Sequence, residues 1–358
     1  MAITYHAGRR IQGTSTDFGT DGAGIPAGAV GWKELGRSTL SGTSQDLSVS
    51  SLPDKRYYMV LSDCIRYASG TQYIQPDFQF NGDTGTNYAS RWCWNGGGEG
   101  TLVSYNRVHQ GATTDEGAMF QVSNIANLAG KEKMVIGHQG QPRTSGSGVA
   151  PARGTWVGKW ANTSDAIHTI NTWESGTGSY ASGSETVILG WDPADTHTDN
   201  FWEELGSDTG DGSSVDLTVS GITAKKYLWI QLYADPDASW TPRLRFNSDT
   251  GSNYSDRYSI DGGTDGSDLN STGAYTGFGG SLPQFQNIFM INNSSRQKFG
   301  IADMIYQDTA GAGTAPRRVE NSFKWTNTSS QITTIAFDSL SGTPNLSTDS
   351  YLKVWGHD

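Results

Sequence analysis

The chain has 358 residues, 36 Asp and Glu against 25 Lys and Arg, and a net charge of −11. Nucleic-acid binding rests on clustered cations that neutralise phosphates, so this balance argues against a nucleic-acid partner. Apolar runs such as Tyr227-Leu-Trp-Ile-Gln-Leu-Tyr233 are far shorter than the roughly 20 residues of a membrane helix, so no span is expected.

The start, Met1-Ala-Ile-Thr-Tyr-His-Ala-Gly-Arg-Arg10, lacks the apolar core and small-residue cleavage site of a secretory signal, and cytoplasmic synthesis is expected. Residues 1–30 read as a polar arm. Arg9, Arg10 and Ile11 form a small basic and apolar cluster in it, suited to an acidic patch on a neighbour.

From residue 31 onward the chain is written twice, each phrase returning about 165 to 170 residues later. Gly31-Trp-Lys-Glu-Leu-Gly36 returns as Phe201-Trp-Glu-Glu-Leu-Gly206, and Asp46-Leu-Ser-Val-Ser50 as Asp216-Leu-Thr-Val-Ser220. Phe80-Asn-Gly-Asp-Thr-Gly-Thr-Asn-Tyr88 returns as Phe246-Asn-Ser-Asp-Thr-Gly-Ser-Asn-Tyr254, and Lys159-Trp-Ala-Asn-Thr-Ser164 as Lys324-Trp-Thr-Asn-Thr-Ser329. The collinear order predicts two domains, 31–192 and 200–358, joined by a short linker at 193–199 and in contact with each other. Phe80, Tyr88 and Trp160 should occupy the same sites as Phe246, Tyr254 and Trp325.

Within each repeat, short runs alternate apolar and polar residues at period two, as in Asp46-Leu-Ser-Val-Ser50 and Arg243-Leu-Arg-Phe246, between clusters of turn residues. No sustained helical period is present. The fold expected is all-β, a tandem duplication of an antiparallel β-sandwich of jelly-roll type.

The Phe-Asn-x-Asp-Thr-Gly-x-Asn-Tyr phrase reads as a hairpin turn, because Asn, Asp and Gly tolerate positive φ and bond their own backbone. Gly85 and Gly251 are expected at positive φ. The alternative is a calcium loop with oxygen ligands from Asn81, Asp83 and Asn87, and from Asn247, Asp249 and Asn253; one carboxylate per loop weighs against it. Trp160 and Trp325 are expected in the cores. Trp92, Trp94 and Trp240 are not shared between repeats and are the candidate contact residues for a partner or a sugar ring. Cys64 and Cys93 are expected as free thiols. No catalytic residue, metal or cofactor is assigned, since no serine elbow, zinc motif or phosphate-binding loop is present.

The repeated phrases, with the Trp-x-Glu-Leu-Gly openings and the start Tyr5-His-Ala-Gly-Arg-Arg-Ile-Gln-Gly-Thr14, resemble β-rich virion structural proteins of tailed bacteriophages, common in aquatic viral sequences. The resemblance implies a non-enzymatic component of the capsid-decorating, vertex or fibre type. Made in the host cytoplasm and located in the virion, it would bind capsid or other virion proteins and self-associate, as a homotrimer by analogy with other viral β-sandwiches. Three alternatives stay open: a receptor- or carbohydrate-binding module of a fibre with a host glycan as partner, a double jelly-roll major capsid protein, and a cell-surface filament protein.

Overall fold

A computed structural model describes residues 31–67, 72–110, 117–193, 195, 199–277, 279–306 and 309–358. Arg9, Arg10 and Ile11 lie outside the described residues. The described chain forms β-strands and no helix, so nothing helical is long and apolar enough to cross a membrane.

Repeat 1 contains β1 (Lys33–Thr39), β2 (Asp46–Ser50), β3 (Tyr57–Ile65), β4 (Pro76–Phe80), β5 (Tyr88–Trp94), β6 (Gly100–Tyr105), β7 (Ala118–Ala126), β8 (Lys133–Gln141), β9 (Ala152–Trp160), β10 (Thr169–Glu174) and β11 (Glu185–Trp191). They form an eight-stranded sheet, β1-β11-β3-β7-β8-β9-β5-β6, and a three-stranded sheet, β2-β10-β4. The antiparallel pairs nest inward from the ends and alternate between sheets: β1·β11 in the large sheet, β2·β10 in the small, β3·β11 in the large, β4·β10 in the small, and β5·β9 in the large. That wrapping is a jelly-roll pattern.

Repeat 2 contains β12 (Glu203–Thr209), β13 (Leu217–Ser220), β14 (Tyr227–Ala234), β15 (Pro242–Phe246), β16 (Tyr254–Ile260), β17 (Gly266–Ser271), β18 (Ala274–Tyr275), β19 (Gln284–Ile291), β20 (Lys298–Tyr306), β21 (Arg317–Trp325), β22 (Thr334–Ser339) and β23 (Tyr351–His357). Its large sheet, β12-β23-β14-β19-β20-β21-β16-β17, matches that of repeat 1 strand for strand, and its small sheet, β13-β22-β15-β18, gains only β18.

Period-two alternation fills each sandwich. Leu47 and Val49 of β2, like Leu217 and Val219 of β13, turn inward between exposed neighbours. The aromatic triad superposes in kind: Phe80 and Trp160 have ring centroids 5.8 Å apart and Phe246 and Trp325 5.7 Å, and Tyr88 faces Trp160 in the ladder as Tyr254 faces Trp325.

The shared Asn-x-Asp phrase is a turn but not a hairpin, because it carries the chain from β4 in the small sheet to β5 in the large one. Asn81 and Gly82 have φ of 53° and 67°, Asn247 and Ser248 50° and 57°, and Asp83 and Asp249 donate their backbone N–H to Phe80 and Phe246 O at 2.9 Å. Two successive left-handed residues closed by this bond make a type I′ turn. Gly85 and Gly251 do not have positive φ, so that expectation is wrong. They are small for another reason: a Cβ on Gly85 would lie 3.0 Å from Asp83 Oδ1 and 2.9 Å from Asn87 Nδ2.

Candidate functional site

The Asp and first Asn oxygens of the alternative calcium loops already accept hydrogen bonds within the fold. Asp83 accepts from Gly85 N at 2.8 Å, Asn87 Nδ2 at 2.9 Å and Trp160 Nε1 at 2.7 Å. Asn81 Oδ1 accepts from His168 N and Thr169 N at 2.8 and 3.0 Å. Asp249, Asn253 and Asn247 repeat the pattern with Gly251, Trp325, Thr333 and Thr334. Burial alone would raise the Asp83 carboxyl, but the donors from Asn87, Trp160 and Gly85 outweigh it and hold it below its ordinary 3.8. Among the described residues, no three His, Cys, Asp or Glu gather as a metal site. These loops are sandwich corners that tie a sheet to a core tryptophan.

The candidate contact tryptophans are correspondingly changed. Trp240 is fully buried within the repeat 2 core, where its backbone bridges to Gly280 and it belongs to the cluster with Leu244 and Leu346. It offers no surface. Trp92 and Trp94 are half-buried: Trp92 meets His109 edge-on with ring centroids 4.6 Å apart, and Trp94 packs by Cys64 and Tyr180. Both cysteines are free, Cys64 buried and Cys93 half-buried.

A polar cluster specific to repeat 1 lies beside Trp92. Buried Asp77 accepts from Arg107 Nε at 2.7 Å, Ser175 Oγ at 2.6 Å and Gln110 N at 3.0 Å, and its Oδ2 lies 3.0 Å from His109 Nδ1. The Arg107 guanidinium lies over Tyr105 and Trp173. At the equivalent place in repeat 2 the polarity is reversed, with Arg243 donating to Asp338 at 2.8 Å. The carboxylate ties Arg107, Ser175 and the backbone of Gln110 together.

The larger feature is the seam between repeats, where the outer faces of the two large sheets meet. Met59, Leu61, Phe120 and Leu189 pack against Phe201, Trp202, Tyr227 and Phe299, beside stacked Phe289, Trp229 and Trp355. The repeats pinch together at Gly140, where a Cβ would lie 2.4 Å from Phe299 Cζ. Polar bonds flank the apolar seam. Arg153 is paired with Asp265 and Glu320, each at 2.7 Å, and Glu185 accepts from Lys226 Nζ at 2.9 Å and Tyr227 OH at 2.8 Å.

Two clefts open along this seam. The first, of about 340 Å³, is bounded by Ile136, His138 and Val157 of repeat 1 and by Phe289, Asp303 and Glu320 of repeat 2. Its repeat 1 wall is one end of a continuous cross-sheet row: Arg91, Val157, Ile136 and Asn124 line the cleft, and Met59 and Leu189 continue the row in register, on β5, β9, β8, β7, β3 and β11. Met59 and Leu189 lie under repeat 2, whereas Ile136 and Val157 are 60% and 45% exposed. Repeat 2 therefore covers only part of an apolar face. The second cleft, of about 500 Å³, is bounded by Asp63, Arg66, Phe120, Arg143, Arg296 and Phe299, among others.

Contact between the repeats is expected from the short linker, but none of the seam residues is singled out by the sequence, although a signal for them exists. β3 is buried at nearly every position, not at alternate ones, and a strand apolar at both parities is covered on both faces.

No family model matches the chain, and no curated protein does. Among solved structures, a match to the mouse laminin alpha1 chain, domains LG4-5, covers 90% of each chain at 11% identity, with a TM-score of 0.19. A likeness that weak carries no argument; the fold follows from the sheets themselves.

Proposed function

We propose that the chain is a virion structural protein of the capsid-decorating, vertex or fibre type, binding capsid or other virion proteins and its own copies. The observation that supports this reading best is the row that runs out from beneath repeat 2 to exposed Ile136 and Val157. Met134, two residues before Ile136 on β8, is 53% exposed and extends the strip. Contiguous apolar surface beside a sheet seam is where another protein docks. The four layers, two sandwiches locked back to back through their large sheets, suit a rigid assembly unit, and a homotrimer is the form proposed by analogy with other viral β-sandwiches.

The test is mass spectrometry of purified virus particles, together with light scattering of the full chain and of an Ile136→Glu, Val157→Glu double variant. The chain should be present in particles, and the wild-type oligomer should dissociate in the double variant with its β-sheet spectrum intact. Absence from particles defeats the virion role. An oligomer indifferent to both substitutions defeats the contact surface.

A further inference from the structure

The second cleft is chemically unlike the rest of this acidic protein. Arg66 and Arg143 of repeat 1 and Arg296 of repeat 2 line it against one carboxylate, Asp63, on a chain of net charge −11. Arg296 is engaged with Asp63, an ion pair across the seam. The other two guanidinium groups have capacity left. Arg66 donates through Nη1 to Gln72 O at 2.8 Å, but its Nε is buried with no partner among the described residues. Arg143 is exposed and forms no hydrogen bond or ion pair among the described residues.

Arg143 is also held in place. Its φ of 56° is a left-handed conformation that side chains rarely adopt, and such outliers persist where surrounding structure imposes them. Here the restraint is visible. Buried Lys324 donates from Nζ to Pro142 O and Thr144 O, both at 2.8 Å, and Gly146 N donates to Gln297 Oε1 at 3.1 Å. The loop of repeat 1 that carries Arg143 is thus clamped onto repeat 2 over the cleft.

Around these cations the rim carries hydroxyls from Ser145 and Ser295, the latter donating to Asn293 Oδ1 at 3.0 Å and left to accept, while Phe120 and Phe299 form an apolar floor. A volume of about 500 Å³ is in the range of small-molecule sites. Guanidinium groups match planar or tetrahedral oxyanions, and rim hydroxyls match a polyol. A long polyanion would meet the repulsion of the whole acidic surface, whereas a small one feels mainly the cleft.

We propose that this cleft binds a small acidic sugar, its carboxylate or sulfate group held by Arg66 and Arg143 and its hydroxyls by the serine rim. The inference stands apart from the virion role, and its failure would leave the Ile136 and Val157 contact untouched.

Titration of the full chain at low ionic strength with glucuronate, glucose and inorganic sulfate, followed by calorimetry, tests it. Glucuronate should bind, sulfate should compete with it, and glucose should not bind. Arg143→Gln and Arg66→Gln should each weaken glucuronate about tenfold or more. Arg91→Gln, in the first cleft, should leave affinity unchanged. Should Arg66→Gln fail to fold, the exposed Arg143 carries the test alone. No glucuronate binding, equal binding of glucose, sulfate binding without glucuronate, or unchanged affinity in Arg143→Gln each overturns the proposal.

Discussion

Trp160 donates its indole N–H to the Asp83 carboxylate at 2.7 Å, and Trp325 makes the same 2.7 Å bond to Asp249 in the second repeat. Each bond links a corner between two sheets to the core indole beneath it. Removing a charged acceptor from a buried donor costs about 1.5 to 3 kcal/mol, so Asp83→Ala and Asp249→Ala should each lower stability by that order in chemical denaturation. Asp83 has a folded pKa below 3.8, so its contribution is present above that value and is lost as pH falls through the folded pKa. The wild type should accordingly lose more stability than Asp83→Ala between neutral pH and pH 3.

EDTA should leave the melting temperature unchanged, since the oxygens of Asp83 and Asn81 are occupied by N–H donors. A fall that added calcium reverses would show that cation binding competes successfully with those donors.

Ser248 stands at φ 57° where repeat 1 has Gly82 at 67°. A side chain costs about 1 kcal/mol in this conformation and glycine costs nothing sterically. Ser248→Gly should therefore raise stability by a few tenths to about 1 kcal/mol, part of the gain being offset by a freer unfolded chain. Gly82→Ser should do the reverse, and paired denaturant melts of the two variants check both signs.

The duplication is legible in the sequence because Phe80, Tyr88 and Trp160 do the same packing work twice, and identical work keeps identical residues. The corner is legible as a turn from its Asn, Asp and Gly, but local chemistry cannot say whether the next strand joins the same sheet or the opposite one. Trp240 misleads because its counterpart in repeat 1 is Ile74, and unshared identity suggests a peripheral place; both are fully buried. A change of residue within a core is not a change of burial. The seam is hidden for a different reason. Its partners, such as Arg153 with Asp265 or Glu185 with Tyr227, join unlike positions of the two repeats, so neither period nor repetition marks them.

Asp256 is buried beside β17, facing Asp268 in register, and only one of its oxygens has a partner, Tyr275 N at 3.1 Å. Burial pushes its pKa well above 3.8, and the neighbouring Asp268 adds to the rise. A raised folded pKa means the unfolded chain releases this proton first, so the associated stability is full below 3.8 and is lost as pH rises through the folded value. Repeat 1 has neutral Ser90 at the matching position. Asp256→Asn should stabilise the protein at pH 7 by about 1 to 3 kcal/mol, the cost of an unpartnered buried group. The difference from wild type should shrink toward zero near pH 4, and equal melting temperatures at both pH values would contradict the assignment.

Gly140 marks a close approach of the two repeats, and a Cβ there would lie 2.4 Å from Phe299 Cζ and 2.8 Å from both Ala152 O and Ser322 Oγ. Two of these atoms belong to repeat 2, so Gly140→Val must push the sheets apart along the seam rather than distort one sandwich alone. Overpacking of this kind costs about 1 to 3 kcal/mol. Because each repeat keeps its own core around Trp160 or Trp325, the loss should fall on the coupling between them. Calorimetry of the wild type should give one cooperative transition, and that of Gly140→Val two overlapping ones, the earlier shifted down by several degrees. A variant that melts in one transition at the wild-type temperature would mean that the seam yields at Phe299 and does not couple the two repeats.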